Sequence, residues 1–530
     1  MQTKQRKFWG WGYEGVEIDK KLFSRLKNML RVGLGQIRFQ HISPPGMGEI
    51  SICAPRFRLP ENLNSWCSSD KRDRLSRCYG KSYRDTIRAL DRRFDNPPDY
   101  VAFPENENQI ADLMEFCGRK RIALVPFGGG SSVVGGVEPT QAMGYRGVVT
   151  LDLQRFNRVL EIDDVSRAAR MQAGLFGPAV EAALKPQNLT LRHFPQSFEF
   201  STLGGWLATR SGGHYASVYT HIDEFVESIR MLTPQGVLET RRLPASGAGP
   251  DPNRIVLGSE GAFGVITEAW MRLQNMPKFK ASAAVRFRES KAGIAATREL
   301  SQSGLHPTNC RLISKLEAMS GGLGDGKSTV LILGFESHDH ALDAWMERGL
   351  AICKKHGGVW DKVRAADQRK DAAPEDQWKK SFLLAPYIRD ELVMLGVISE
   401  TFESAVTWDR FDAFHKAVLD AVNNAIKCVS GRGIVTWRFT HVYPDGVAPY
   451  YTVIAKGKRG QELAQWTEIK AAASKAILDN GGTITHHHAV GRDHRDGFRQ
   501  EASPLWSKGL AQLKSVYDPQ AILNPGVLLG

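Results

Sequence analysis

The chain has 530 residues and only seven cysteines, at 53, 67, 78, 117, 310, 353 and 428, none in CxxC spacing. An odd, scattered set excludes a disulfide framework and a cysteine-ligated zinc site. No apolar run reaches the ~20 residues needed to cross a bilayer. Zinc-finger, RRM-type and basic heptad patterns are missing and the positive residues are dispersed, so no nucleic acid is expected as a partner. Neither an amino-terminal secretory pattern nor an SKL-type ending stands out, which makes the cytoplasm the expected location and leaves contact with a membrane surface open. No internal repeat or low-complexity tract appears. What is present is 42% hydrophobic and 24% charged residues with a net charge of +13. That describes a basic globular protein, too long for one core, that attracts phosphorylated substrates and anionic lipid surfaces.

The pattern along the chain divides it into four parts. Residues 1–93 are basic and aromatic, and Leu22, Phe23, Leu26, Met29 and Leu30 recur at helical spacing within Lys20–Arg31. Such a helix lies on an anionic membrane or packs on its own protein, the second being the commoner use. From 94 to 275 short β-like runs (Tyr100–Phe103, Ile122–Val125, Gly147–Leu151) alternate with helical ones (Glu107–Arg119, Gly177–Leu184), as in an α+β nucleotide domain. Residues 276–482 follow another rhythm, with β-like runs at Val330–Gly334 and Gly433–Thr440, and read as a separate domain of mixed sheet and helices. Residues 483–530 open on a histidine cluster.

Pro126-Phe-Gly-Gly-Gly-Ser-Ser132 follows the apolar run Ile122–Val125, so a strand delivers the backbone into three glycines. Glycines permit positive φ and let successive amides converge on a phosphate, with Ser131 and Ser132 adding hydroxyls; an ordinary turn is the alternative. Two further runs of small and polar residues, Pro195–Trp206 and Gly258–Glu268, point to a long dinucleotide. Gly321-Gly-Leu-Gly-Asp-Gly-Lys-Ser328 spells a Walker A string, but a P-loop follows a strand and opens a helix. Here a helical stretch, Arg311–Met319, is expected before it and a β-like run, Thr329–Leu333, after it, so it reads as a loop. His486, His487 and His488 form the densest titratable cluster. Adjacent histidines point in different directions and no carboxylate sits at ligand spacing, so proton handling or phosphate binding is preferred and no metal is expected.

In the order PFGGGSS, QSFEFSTLGGW and GSEGAFGVITEA, the chain resembles FAD proteins of the vanillyl-alcohol-oxidase type, with a PCMH-type FAD-binding domain. Within that group it is similar to the alkyldihydroxyacetonephosphate synthases, from FWGWGYE near the start to Asn524-Pro-Gly526. The resemblance implies an α+β fold with a helical N-terminal extension, an FAD domain, a cap over the reactive end of the cofactor, and a final segment returning to the FAD domain. It implies non-covalent FAD held by Pro126 to Ser132, by Gln196, Ser197, Glu199, Phe200, Ser201 and Thr202, by Thr209, Arg210, Ser211 and Gly212, and by Ser259, Glu260, Gly261, Ala262, Phe263, Gly264 and Val265.

The same resemblance carries active-site roles to His486, His487 and His488, with His488 as the proton-transfer partner, to His193, and to Tyr451 as the acid/base tyrosine. Arg389 in APYIRD matches an arginine at the substrate phosphate, where a guanidinium fork suits two oxygens, and Arg311 one needed for activity. Taken bare, an arginine before an aspartate is most often a surface ion pair. There are departures: Gln196 stands where the family usually has a carboxylate, Ala262-Phe263 replaces a small polar and aliphatic pair, and Arg492-Asp-His494 follows the histidines. The implied reaction exchanges the acyl chain of acyl-dihydroxyacetone phosphate for a fatty alcohol, with the flavin as electrophile and a homodimer as the assembly. An FAD-dependent 2-hydroxy acid dehydrogenase or oxidase is the alternative, since the same domain serves both chemistries. A flavin-less lipid-surface protein is a third possibility.

Overall fold

Parallel pairing begins at Tyr100–Ala102 and Ala123–Phe127, which flank Val148–Asp152 in a four-stranded sheet completed by Cys67–Ser68. All three strands are buried almost throughout, as parallel strands covered on both faces are. The crossover helix Glu107–Lys120 starts on the Asn106 cap, turns Ile110, Leu113, Met114, Phe116 and Cys117 inward, and stops at Arg121 in the left-handed region. Its return strand, Ala123–Phe127, runs straight into Gly128. A five-stranded antiparallel sheet (Val159–Asp163, Ala168–Gln172, Val265–Arg272, Val226–Thr233, Gly236–Glu239) shares one apolar core with it. The computed structural model describes residues 5–529 except 17–18, 36–38, 40, 140–143, 216 and 366–373.

The second half is built on an eight-stranded sheet in which Asn309–Ile313, Gly433–Val442, Gly446–Lys456 and Val397–Glu403 are successive antiparallel neighbours. Strand alternation gives this sheet two unlike faces. Cys310, Leu312, Trp437, Phe439, Tyr451 and Phe402 belong to the apolar core under the helices Ser290–Gln302 and Trp408–Ser430. Asn309, Arg311, Arg438, Tyr450 and Glu403 occupy the opposite face, all buried. The polar face is the one that meets the first half of the molecule, through Arg311 and His214.

Three sequence expectations meet the fold here. The amphipathic helix extends over Lys20–Leu34 and packs Phe23, Leu30 and Leu34 against Leu392, Leu395 and Val397, so it lies on its own protein; the side chains of Leu22 and Met29 lie outside the described residues. Arg311 is not helical: its segment is the strand Asn309–Ile313, and only Lys315–Ser320 is helix, because the apolar alternation there suits a sheet interior. The Walker-like string does connect that helix to the strand Thr329–Ser337, the reverse of a P-loop's order. Among the described residues no helix is long and apolar enough to cross a membrane.

Candidate active site

The glycine loop is shaped for an anion. Gly130 sits at φ +68°, and a side chain on Gly129 would strike the Phe200 carbonyl at 1.8 Å. Among the described residues nothing accepts a hydrogen bond from the amides of Gly129, Gly130 or Ser131, while Ser132 Oγ turns inward to the amide of Gly136. The second run lies directly against this loop: a side chain on Gly128 would meet Thr202 Oγ1 at 2.2 Å, and Thr202 caps the helix Leu203–Thr209. Gly261, at φ +73°, brings the third run onto Pro126.

Not every expected cofactor residue offers its side chain. Ala262, Phe263 and Val265 are core residues at 1% exposure, which leaves only their backbone for a ligand. Arg210 is committed to Asp223, Ser211 to His193, and Thr209 to the Gly205 carbonyl. Glu199 is exposed and accepts from Tyr387 Oη at 2.9 Å. Glu260 is buried and accepts the amides of Val490 and Gly491, so it fixes the backbone just after the histidines. Burial pushes its carboxyl up to about 7 against the pull of those amides. Ser259 Oγ is buried with no partner among the described residues, and Gly212 lies flat beneath His441 and His487.

The histidine turn is organised by a carboxylate that sequence spacing could not reveal. Glu403, from the strand Val397–Glu403, accepts the amides of His486, His487 and His488 and the hydroxyl of Thr485. Its oxygens lie 3.7 Å from His487 Nδ1 and 3.6 Å from His488 Nδ1. Burial opposes its ionisation, while the amides of the histidine turn favour the carboxylate. The carboxylate absent from the local sequence therefore arrives from a distant strand. His441 also joins, carried out of register by an irregularity between Phe439 and His441. One of its ring nitrogens lies within 4.8 Å of a ring nitrogen of His486 and of one of His487. His486 further contacts Tyr443 Oη at 2.7 Å. Burial, and then the neighbouring imidazoles, lower His486 and His441 well below the usual histidine value, and burial also lowers His487 and His488.

Two expected residues are elsewhere. Tyr451 points to the apolar face, fully buried, with its hydroxyl 2.9 Å from His415 Nδ1 and its ring stacked on Phe402. Strand alternation gives the position beside the histidines to Tyr450, whose ring centroid is 6.0 Å from that of His487 and 5.6 Å from that of His488. Arg438 lies 3.9 Å over the Tyr450 ring and is anchored by Glu317. His193 stays behind the row, wedged between Trp206 and Phe225 with Nε2 on Ser211 Oγ, and burial drives it down to about 3.

Arg311 lies on the polar face of the large sheet, 1% exposed and contacting His214. Arg389 is no surface ion pair. It lines a cavity with Ser82, Tyr83, Val133, Ser399, Glu400, Thr401, Lys470 and His488, and its Nε is buried with no partner among the described residues. Lys470 neutralises Glu400 there at 3.0 Å. The residues missed by sequence reasoning are thus Glu403, His441, Arg438 and Tyr450.

Residues 98–241 match the family of FAD binding domains, and residues 276–528 the C-terminal domain of FAD linked oxidases. Fold and site together define an FAD-dependent enzyme with a PCMH-type cofactor domain. More narrowly, the chain belongs to the alkyldihydroxyacetonephosphate synthase family. It is 30% identical over 524 residues to alkyldihydroxyacetonephosphate synthase of Dictyostelium discoideum, covering 93% of this chain and 83% of that protein. The synthase of Caenorhabditis elegans is 29% identical over 585 residues, covering 100% and 96%. A solved alkyldihydroxyacetonephosphate synthase superposes with a TM-score of 0.83 at 26% identity, covering 98% of each chain. The residues fit FAD: the unspent amides of Gly129 to Ser131 suit a pyrophosphate, and the orphaned Ser259 hydroxyl offers a further polar contact.

Proposed function

We propose that the chain replaces the acyl chain of an acyl-dihydroxyacetone phosphate with a fatty alcohol, forming an ether and releasing a fatty acid with no net redox change. The observation that carries this reading is Tyr450 set between Arg438 and the rings of His487 and His488, beside the cavity that Arg389 and His488 line. Bound FAD supplies an electrophile. The imidazole of His488 is lowered by burial and is a neutral base at pH 7, whereas burial raises the Tyr450 phenol and keeps it protonated. A neutral base and a protonated acid side by side suit removal of a proton at C1 of the dihydroxyacetone unit and delivery of one in return. Arg389 receives the substrate phosphate, and Arg311, held among the histidines, adds fixed positive charge.

The reading includes non-covalent FAD, released on denaturation, and a homodimer, checked by sedimentation velocity. Purified holoenzyme given acyl-dihydroxyacetone phosphate and labelled hexadecanol should yield labelled alkyl-dihydroxyacetone phosphate while the flavin remains oxidised at the end of turnover. Absence of the ether, together with anaerobic bleaching by a 2-hydroxy acid, would place the chain among flavin oxidoreductases instead.

A further inference from the structure

Lys81 stands between the glycine loop and the Arg389 cavity. Its amide donates to the Ser132 carbonyl at 2.6 Å, and its own carbonyl accepts from the Arg389 guanidinium. The backbone is thereby pinned to both sites at once. The side chain is 6% exposed, and among the described residues no carboxylate lies within 4.0 Å of its ammonium. The surrounding acids are already engaged. Asp85 accepts from Arg88 and from the Ser82 amide, and Asp390 accepts the Trp11 amide and faces Arg389. The other neighbours, Arg6 and Arg389, are cations. Burial, followed by Arg6, pulls the ammonium down to about 8.

A lysine buried only to pack its aliphatic stem would be expected to reach water or a carboxylate with its head. This one is 6% exposed and meets no carboxylate among the described residues, and it shares its surroundings with an arginine whose Nε is buried and, among the described residues, unpartnered. Buried positive charge in excess of its acids is unfavourable until an anion completes the site. We propose that Lys81, together with Arg389, binds a phosphate group at the seam between the glycine loop and the cavity. Both the substrate inferred above and FAD carry phosphate; the substrate arm rests on the proposed reaction, the cofactor arm does not.

The test compares holoenzyme with Lys81→Met, an apolar replacement of similar shape, and with Lys81→Arg, which restores charge. Flavin content after dialysis, the rise in melting temperature caused by inorganic phosphate, and KM and kcat for acyl-dihydroxyacetone phosphate are read on each. The expected result is that Lys81→Met keeps its flavin, loses the phosphate-induced rise and raises KM tenfold or more with a smaller change in kcat, while Lys81→Arg recovers most of both. Loss of flavin, with a normal KM once FAD is saturating, would assign the phosphate to the cofactor and still uphold the role. Unchanged flavin content, phosphate response and KM would overturn it. Lys81→Gln serves the same comparison if the Met variant does not fold. Wild-type protein that responds to phosphate but forms no ether would sink the proposed reaction and leave the anion site standing.

Discussion

Tyr450 and Tyr451 lie on opposite faces of one strand, and their rings meet different imidazoles, those of His487 and His488 for Tyr450 and that of His415 for Tyr451. The Tyr451 hydroxyl and His415 form a buried pair in the apolar core, where burial lowers the imidazole to about 4. Tyr451→Phe should therefore act on stability, costing ~1 kcal/mol, the usual net worth of one hydrogen bond, with turnover retained; thermal unfolding and a kcat measurement check both. Glu260 offers a pH test. Its folded value of about 7 lies above its ordinary 4.5, so the folded state holds the proton more tightly. The stability this lends is fully present below pH 4.5 and is lost as pH rises through 7. Glu260→Gln should remove that dependence while still accepting an amide, so the stability of wild type relative to the variant should fall across this window. A constant difference in urea-unfolding free energy across the window would contradict the assignment.

Among the elements, the glycine loops were legible in sequence because they rest on local conformation: the φ values of Gly130 and Gly261 are open to few other residues. The polar face of the large sheet was legible in part. Gly433–Thr440 alternates Thr436, Arg438 and Thr440 with Val435, Trp437 and Phe439, a pattern that marks Arg438 as facing away from the core. Two adjacent tyrosines carry no such contrast, so the choice between 450 and 451 could come only from strand register. His441 escapes the alternation because an irregularity precedes it. Glu403 reaches amides 83 to 85 residues further along the chain, a separation at which sequence gives no signal. The Walker-like loop shows the opposite hazard, a motif without its context. Asp325 accepts the amides of Lys327 and Ser328 and closes the loop on itself. Lys327→Ala should leave turnover unchanged, and isothermal titration with Mg-ATP should give no heat of binding for either protein.

For the molecule as a whole, the site exists because the polar face of one sheet is pressed against the cofactor loops of another part of the fold. The chain end stitches the two together: Asn524 donates to the carbonyls of Gly136 and Glu260, and the segment beyond the histidines hangs on the Glu260 carboxylate. FAD bound among these loops should stabilise them jointly. Free FAD at a hundredfold excess over its Kd is worth ~2.7 kcal/mol to the folded state, so deflavinated protein should melt at a lower temperature and recover it on adding FAD.

Chemistry on the Tyr450 face, beside the histidine turn, is what the site is built for. It is tested most directly by ether formation from acyl-dihydroxyacetone phosphate and a labelled long-chain alcohol in Tyr450→Phe and Tyr451→Phe holoenzymes carrying equal flavin. A hundredfold or greater loss in Tyr450→Phe, with near-normal turnover in Tyr451→Phe, is the predicted result, a loss in line with removal of an acid/base group. Full activity in Tyr450→Phe with loss in Tyr451→Phe would contradict it.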